Sequence, residues 1–258
     1  MTARPLVSIV TPAYNHAPYI RETIESVLAQ TYPDIEYIII DGGSQDGTAE
    51  IIREYREKLA YFISEPDKGQ TDAINKGFTR ASGKYLAWIN SDDTLMPGAV
   101  AAAVEFLEEN PQVGLVYGDA RYIDKDSRII GSFPAAQTSL PQLRRGYVHI
   151  PQQASFFRKD LWDRVGPLDS DFYFAMDYDL WVRIAEISEL KYLPELWANF
   201  RLHADAKTIS ADDQCWPEML KVHYRDGGGF FAPIVIKYYL RKLAAPLIRW
   251  RRNRLFQK

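Results

Sequence analysis

The 258-residue chain predicts an α/β fold: a mostly parallel sheet with helices on both faces. Three observations carry that expectation. Strand-like and helix-like segments alternate through the first 120 residues. The strands are continuous apolar runs, as expected when both faces of a sheet are covered. Acidic residues stand where the strands stop, at Asp41, Asp67, Asp92 and Asp93. Ligands of open α/β sheets bind beyond the carboxyl ends of the strands, so this third observation also bears on function.

The elements follow in order. "LVSIVTP" is a β-rich run ending at Pro12, and "APYIRETIESVLAQ" spaces Ile20, Ile24, Val27 and Leu28 for one helical face. "IEYIIIDGGS" is a second buried strand, closed by Asp41-Gly42-Gly43, and "DGTAEIIREYRE" reads as a helix. "AYFISEPD" is a third strand, and "GQTDAINKGFTRA" a helix with Gly83 as its expected C-cap. "KYLAWIN" is a fourth strand, followed by a helix with Pro97 near its start. From residue 114 the pattern is irregular. "VGLVYGDARYID" enters a hairpin, "IPQQASFFRKDLWDRVG" is a strand and a short helix, "AMDYDLWVRIAEI" is a helix, and "LKYLPELWANFRLH" offers two short strands.

Composition narrows the function. Hydrophobic residues are 47% and charged residues 25%, ordinary for a globular chain. One cysteine, Cys215, excludes an internal disulfide framework and a cysteine-rich zinc site. The opening stretch does not read as a secretory signal, and no apolar run reaches the ~18 residues of a membrane span, so a cytoplasmic location is expected. Eight of the 31 Lys and Arg lie from Lys237 onward with no acid among them, leaving 23 basic and 34 acidic residues before it, a net of −11. An acidic body argues against nucleic acid as a partner, and a basic appendage argues for a partner of its own.

Three segments carry a resemblance: "VSIVTPAYNHAPYIRETIESVLAQTYPDIEYIIIDGGSQDGT", "DKGQTDAINKGFTRASGKYLAWINSDDTLMPGA" and "VGPLDSDFYFAMDYDLWVR". In that order they resemble the family 2 glycosyltransferases. The resemblance implies a GT-A fold, Rossmann-like, and transfer of a sugar from a nucleoside diphosphate sugar to a hydroxyl acceptor with inversion. It implies a GT-A domain over 1–215, with 1–120 binding the nucleotide sugar and 121–215 serving acceptor and catalysis. Residues 216–258 are then a helical basic extension.

The chemistry of that transfer assigns the residues. A diphosphate leaving group gains negative charge, and a divalent cation, Mg²⁺ or Mn²⁺, neutralises it through oxygen-rich ligands. The family usually shows Asp-x-Asp at this point, whereas this chain reads Asn90-Ser91-Asp92 followed by Asp93. Asp92 is the expected metal ligand. Asn90 offers a neutral carbonyl or a bond to ribose, and Asp93 a brace or a partner for a sugar hydroxyl. Helix capping is the structural alternative for the acidic pair. By the resemblance His203, in "FRLH", is the second candidate ligand, a satisfied surface or core histidine being the alternative, and Lys207 a cation near the diphosphate. By the same resemblance the loop Thr11, Pro12, Ala13, Tyr14 and Asn15 faces base and ribose. Asp41 accepts from the base, and an imide N–H of uracil suits a carboxylate, which favours UDP. Gln70, Asp72 and Lys76 fall in the segment that meets base and phosphates, Gln70 standing where the family often has a basic residue, while Asn75 orients a loop.

An in-line displacement also needs a base for the acceptor hydroxyl. The family's Glu-Asp pair is here Met176-Asp177, so Asp177 is the expected general base and Asp179 a brace. Gln152, Gln153 and Trp181 are candidates for the acceptor side, with core packing the alternative for Trp181. The acceptor class implied is a saccharide or a lipid-linked saccharide of cell-surface polysaccharide synthesis.

At the chain's end, Ile236, Leu240, Leu243, Leu247 and Trp250 recur at helical spacing, with Lys237, Arg241, Lys242, Arg249 and Arg252 opposite and Pro246 as a kink. Such a helix suits an anionic membrane interface, hence a peripheral place on the inner membrane face; packing on the body or in a homodimer is the alternative. Two other functions stay open: a nucleotidyltransferase, which would release pyrophosphate, and a binding or scaffold protein without catalysis. A Rossmann oxidoreductase is disfavoured because no Gly-x-Gly-x-x-Gly follows the first strand.

Overall fold

The computed structural model describes residues 4–203 and 212–255, with side chains for 4–203 and 215–244. Its first half is the expected alternation. β1 (Val7–Ala13), β2 (Ile35–Asp41), β3 (Tyr61–Ser64) and β4 (Tyr85–Trp88) are parallel in the order β3-β2-β1-β4. α1 (Ile20–Leu28), α2 (Thr48–Glu54) and α3 (Gln70–Arg80) connect them. Every residue of β1 is buried, which is why its sequence shows no alternation.

The two faces of the sheet bury separate cores. Ile9, Tyr37, Ile39, Tyr85 and Ala87 pack with α1, α2 and α4 (Ala99–Glu109). Val10, Ile38, Ile40, Leu86 and Trp88 pack on the opposite face, where Ile74 and Phe78 of α3 lie. α3 sits so close to the sheet that a Cβ on Gly77 would be 2.4 Å from Val10 Cγ1. That approach sets the start of α3 above the ends of β1 and β4. Gly83, expected as the cap of this helix, serves another purpose. α3 ends at Arg80, and Gly83 packs its backbone on Ser8, to whose Oγ it donates at 2.8 Å. A Cβ there would lie 2.6 Å from the Ser8 nitrogen.

Among the described residues the second half completes a nine-stranded sheet in the order β3-β2-β1-β4-β8-β6-β9-β5, with β7 paired to β6. Its elements are β5 (Thr94–Leu95), β6 (Val113–Ile123), β7 (Ile129–Ser132), α5 (Leu140–Leu143), β8 (Ser155–Arg158), α6 (Lys159–Val165), α7 (Met176–Ala185) and β9 (Glu189–Arg201). β8 runs antiparallel to both β4 and β6, and so joins the two halves. "LKYLPELWANFR" forms one long strand rather than the two expected. Pro194 does not break it because the register with β6 shifts between the Tyr117–Tyr192 and Asp119–Leu196 pairs. The proline lies in that irregular stretch, where its missing N–H costs no ladder bond.

α8 (Asp212–Arg225) and α9 (Pro233–Leu255) follow. Met219, Leu220 and Val222 of α8 and Ile234 and Val235 of α9 are buried in the same cluster as Leu180 and Trp181 of α7. Beyond this root, Ile236, Tyr239, Leu240 and Leu243 are exposed, as are Phe230 and Phe231 in the turn before α9. Among the described residues, no helix is long and apolar enough to cross a membrane.

Candidate active site

The carboxyl ends of β1, β2 and β4 form the rim on which most of the expected residues fall. After β4 the chain turns through Asn90–Asp93. Asp93 points inward and is fully buried; its Oδ1 accepts from Arg201 N at 2.8 Å and its Oδ2 from Asn90 Nδ2 at 3.3 Å. Burial, reinforced by the neighbouring Asp92 charge, pushes the Asp93 carboxyl well above the usual carboxylate range. Asp93 is thus a brace behind the turn and has no surface for a sugar hydroxyl. The other carboxylate, Asp92, faces out, with Oδ2 3.1 Å from His203 Nε2.

A third group joins this pair. His16, in the loop after β1, places a ring nitrogen near both, so that one ligand atom from each of His16, Asp92 and His203 lies within 4.8 Å of the other two. The sequence reading stopped one residue short, at Asn15. No spacing rule connects positions 16, 92 and 203; only the sheet brings them to one corner. Two ligands at ~2.1 Å from one ion and at right angles stand about 3.0 Å apart, so the Asp92–His203 separation suits a shared ion. The donor set, two imidazoles and a carboxylate, is chemically fit for a divalent metal.

Arg201, also missed, braces the same corner. Its guanidinium is buried and donates to Asp92 O at 2.7 Å, Asp124 O at 3.1 Å, Ser127 Oγ at 2.9 Å and Glu22 Oε2 at 2.5 Å. It thereby ties the turn bearing Asp92 to α1 and to the β6–β7 hairpin. Since His203 follows two residues later, one arginine sets the positions of both expected ligands.

At the end of β2, Asp41 is fully buried. It accepts from Gly43 N, Ser44 N, Ser44 Oγ and Ser64 Oγ at 3.2, 3.0, 2.5 and 2.6 Å. Asp67 stands beside it and is only partly buried. Burial pushes the Asp67 carboxyl up, against the Gly69 N–H and Lys76, while Asp72 and Asp41 add to the rise. In the first loop, Thr11 corrects the expectation: its side chain is buried in the sheet and bonded to Tyr37 at 3.0 Å. Pro12 and Ala13 are buried too. Tyr14 is 62% exposed, and Asn15, at φ 51°, accepts from Gln45 N at 3.0 Å. That leaves Tyr14 and Asn15 as the loop's accessible pair.

A chain of neutral amides crosses the site. Gln70 Nε2 donates to Asn90 Oδ1 at 2.6 Å, Asn90 Nδ2 to Gln152 Oε1 at 3.4 Å, and Gln152 Nε2 to Trp88 O at 2.7 Å. Two of the three departures from the family pattern, Gln70 and Asn90, are thus partners. Asp72 and Lys76 lie on the outer side of α3, paired to each other at 3.2 Å, and Lys76 also meets Glu65. Asn75 bridges to Leu168 through both its amide atoms, holding the loop before α7. Gln153 is buried. Trp181 corrects the acceptor expectation, for it is fully buried and stacks on Trp88 with ring centres 5.5 Å apart. Lys207 lies outside the described residues.

Asp177 occupies the first turn of α7, partly buried, with Oδ1 accepting from Tyr178 N at 2.7 Å. Its neighbour Met176 receives the Thr71 hydroxyl on Sδ at 2.8 Å, so α7 begins against the start of α3, next to Gln70. α8 holds this helix start. Glu218 accepts from the N–H groups of Tyr173, Phe174 and Ala175 at 3.1, 2.7 and 2.9 Å. It satisfies donors that a helix start leaves open. Asp179, fully buried, pairs with Arg183 at 2.8 Å and Arg225 at 2.5 Å, the brace expected of it. Two surface hollows of about 290 and 220 Å³ lie elsewhere, and none of these residues lines them.

A parallel sheet extended by antiparallel strands, with its polar corner at the carboxyl rim, defines the GT-A class of fold. The family model for glycosyl transferase family 2 matches residues 8–180, and the chain belongs to that family. An uncharacterized glycosyltransferase of Mycobacterium tuberculosis is 37% identical over 193 residues, covering 73% of this chain and 72% of that protein. The curated relatives differ in length: the chain spans only 34% of one from Rickettsia bellii. Among solved structures, Staphylococcus aureus TarS 1–349 in complex with UDP-GlcNAc superposes with a TM-score of 0.69 at 17% identity, over 93% of this chain and 73% of that one. The mannosyltransferase PcManGT of Pyrobaculum calidifontis, in complex with GDP-Man and Mn²⁺, has a TM-score of 0.67 at 21% identity, over 93% and 71%.

Proposed function

We propose that this chain is an inverting glycosyltransferase that moves a sugar from a UDP-sugar to a hydroxyl of a saccharide or lipid-linked saccharide. The observation that carries this reading is the corner of His16, Asp92 and His203 at the strand ends, with Asp177 on the adjoining helix start. A divalent ion held there would neutralise the charge of the departing diphosphate. Tyr14 stacks on the base. Asp41, buried and bonded internally, is a brace rather than the base's partner, and the partly buried Asp67 beside it favours uracil, whose imide N–H is a donor. The amides of Gln70, Asn90 and Gln152 meet the sugar's hydroxyls. Asp177 takes the proton of the attacking hydroxyl, and Glu218 and Arg225 keep its helix start in place. Support comes also from the nucleotide sugars bound by the two similar structures.

A donor screen tests it. UDP-sugars with Mn²⁺ are expected to raise the melting temperature more than GDP- or dTDP-sugars, and excess chelator to remove the shift. Turnover should release UDP. Release of pyrophosphate would favour the nucleotidyltransferase, and binding unaffected by chelator would remove the metal from the reading.

The C-terminal helix adds a place of work, an anionic membrane surface. Its root packs on the body, yet Phe231 is 92% and Leu243 80% exposed; Lys242 neighbours Leu243 in sequence, while Lys237 lies over the Tyr147 ring at 3.4 Å and Arg241 over that of Trp216 at 5.7 Å. Contiguous exposed apolar groups mark an interaction site, and cations choose an anionic one. Each cation adds ~1 kcal/mol near such a surface, and salt screens that part only. The protein is expected to float with anionic vesicles at low salt and to detach only partly as salt rises. Phe231→Ser with Leu243→Ser should abolish flotation without changing UDP binding. Absence from the lipid fraction at low salt would refute the surface, and a dimer dissociated by the same substitutions would show its true occupant.

A further inference from the structure

We propose that the hollow of about 290 Å³ between β6, β7 and β9 is a second saccharide-binding site, which holds one uncharged sugar unit of the acceptor away from the hydroxyl that reacts. The site itself is independent of the catalytic reading above; only the bound sugar's part in the acceptor rests on that reading. Asp119, Arg121, Ser132, Phe133 and Leu196 line the hollow, and none of them belongs to the corner of His16, Asp92 and His203 or to the helix start of Asp177. A carboxylate only accepts hydrogen bonds and a guanidinium only donates them. A simple anion would meet Asp119 and a simple cation Arg121. Neighbouring sugar hydroxyls both donate and accept, so they answer the two together through charge-assisted bonds. Ser132 adds a hydroxyl, and Phe133 with Leu196 offers an apolar wall to the C–H face of the ring. The volume lies at the lower end for ligand pockets and suits one unit rather than a chain.

The hollow follows from an irregularity in the sheet. β9 advances four residues, from Tyr192 to Leu196, while β6 advances two, from Tyr117 to Asp119. The surplus residues of β9 bulge, and a bulge bends its strand and re-aims side chains. Leu196 is left 36% exposed, and Asp119 and Arg121 half-buried. Asp119 Oδ1 accepts from the Tyr192 hydroxyl at 2.6 Å, and Arg121 Nε donates to Asn199 Oδ1 at 2.6 Å. These bonds fix both side chains and leave Asp119 Oδ2 and Arg121 Nη1 without a partner among the described residues; the two make no ion pair with each other. The Phe133 ring is held against Tyr122, with ring centres 6.3 Å apart. Asn199 in turn donates to Thr94 Oγ1 at 2.7 Å, two residues after Asp92. The Arg121–Asn199 pair lies two residues before the Ile123–Arg201 pair in the same ladder, about 7 Å along the strands. A saccharide of a few units spans that distance.

The test uses methyl glycosides of glucose, galactose, mannose and N-acetylglucosamine, titrated at millimolar concentration into the full chain labelled with nitrogen-15. At least one of them should shift the amide signals of Asp119, Ala120, Arg121 and Ser132 saturably. Asp119→Asn keeps an oxygen for the Tyr192 hydroxyl and removes the charge; it should weaken that binding about tenfold, the loss of one charge-assisted bond. Ser132→Tyr fills the hollow from its exposed edge and should abolish the binding. UDP-sugar should raise the melting temperature of both variants as it does that of the wild type; if Ser132→Tyr does not fold, Asp119→Asn alone decides. No shift with any of these glycosides overturns the proposal. So do shifts that survive unchanged in the variants, or shifts confined to Gln152 and Asp177, which put the sugar on the catalytic rim alone. A wild type that binds these glycosides at the hollow but no nucleotide sugar would instead end the catalytic reading and leave the second site standing.

Discussion

Asp92→Ala is expected to abolish metal-dependent binding of UDP while leaving the fold intact. The two effects separate because the side chain and the backbone of Asp92 do different work. The carboxylate faces the cleft and its bonded partner is His203. The carbonyl accepts from the buried Arg201, a contact the substitution keeps. Loss of a group behind a ligand costs ~10–100-fold in metal affinity, so loss of the ligand itself should cost at least the upper end of that range. Removing Asp92 also takes away a charge that raises the Asp93 carboxyl, so stability should change little or rise. Calorimetry of UDP with and without Mn²⁺ measures the first effect, and a thermal melt the second. If the variant bound UDP and Mn²⁺ as the wild type does, Asp92 would have no metal role.

The adjacent acids illustrate what the sequence could and could not say. Apolar runs ending at Asp41, Asp67 and Asp92 made the sheet, its direction and its working edge legible. Short continuous apolar runs against apolar residues at helical spacing separate strand from helix here without any contact information. The same reasoning could not divide the labour between Asp92 and Asp93. One peptide unit separates them, and only the packing of β9 shows that one side chain is fully buried against the Arg201 backbone while the other, 13% exposed, meets His203. His16 was illegible for a related reason. Its role depends on a contact 187 positions away, made when β9 brings His203 to the end of β1. Trp181 shows the converse: four residues after Asp177 the sequence allowed either a pocket wall or a core side chain, and α7 turns it into the core against Trp88. Pro194 sits inside β9, where a register shift against β6 accommodates it, so one strand forms where two were expected.

Asp177→Asn is the second large effect, and it bears on the mechanism rather than on binding. The amide is isosteric, and its carbonyl can still accept the Tyr178 N–H that Oδ1 receives at 2.7 Å. Glu218 and Arg225 continue to hold the helix start from α8, through contacts that do not involve residue 177. Donor affinity should therefore stay within about twofold. Transfer should fall by ~10²–10⁴-fold, the usual contribution of a positioned general base, because an amide cannot take the proton of the attacking hydroxyl. A purely structural role predicts another pattern: a lowered melting temperature, with donor binding and transfer falling together. Parallel calorimetry and turnover measurements distinguish the two. Asp177→Ala sharpens the comparison, since a small exogenous carboxylate such as formate could then enter the gap and restore part of the rate. Rescue of that kind requires a missing base at this position. Near-normal transfer by well-folded Asp177→Asn would shift the search for the base to another residue on the rim, and the first to examine would be Asp67, whose carboxyl burial already pushes up.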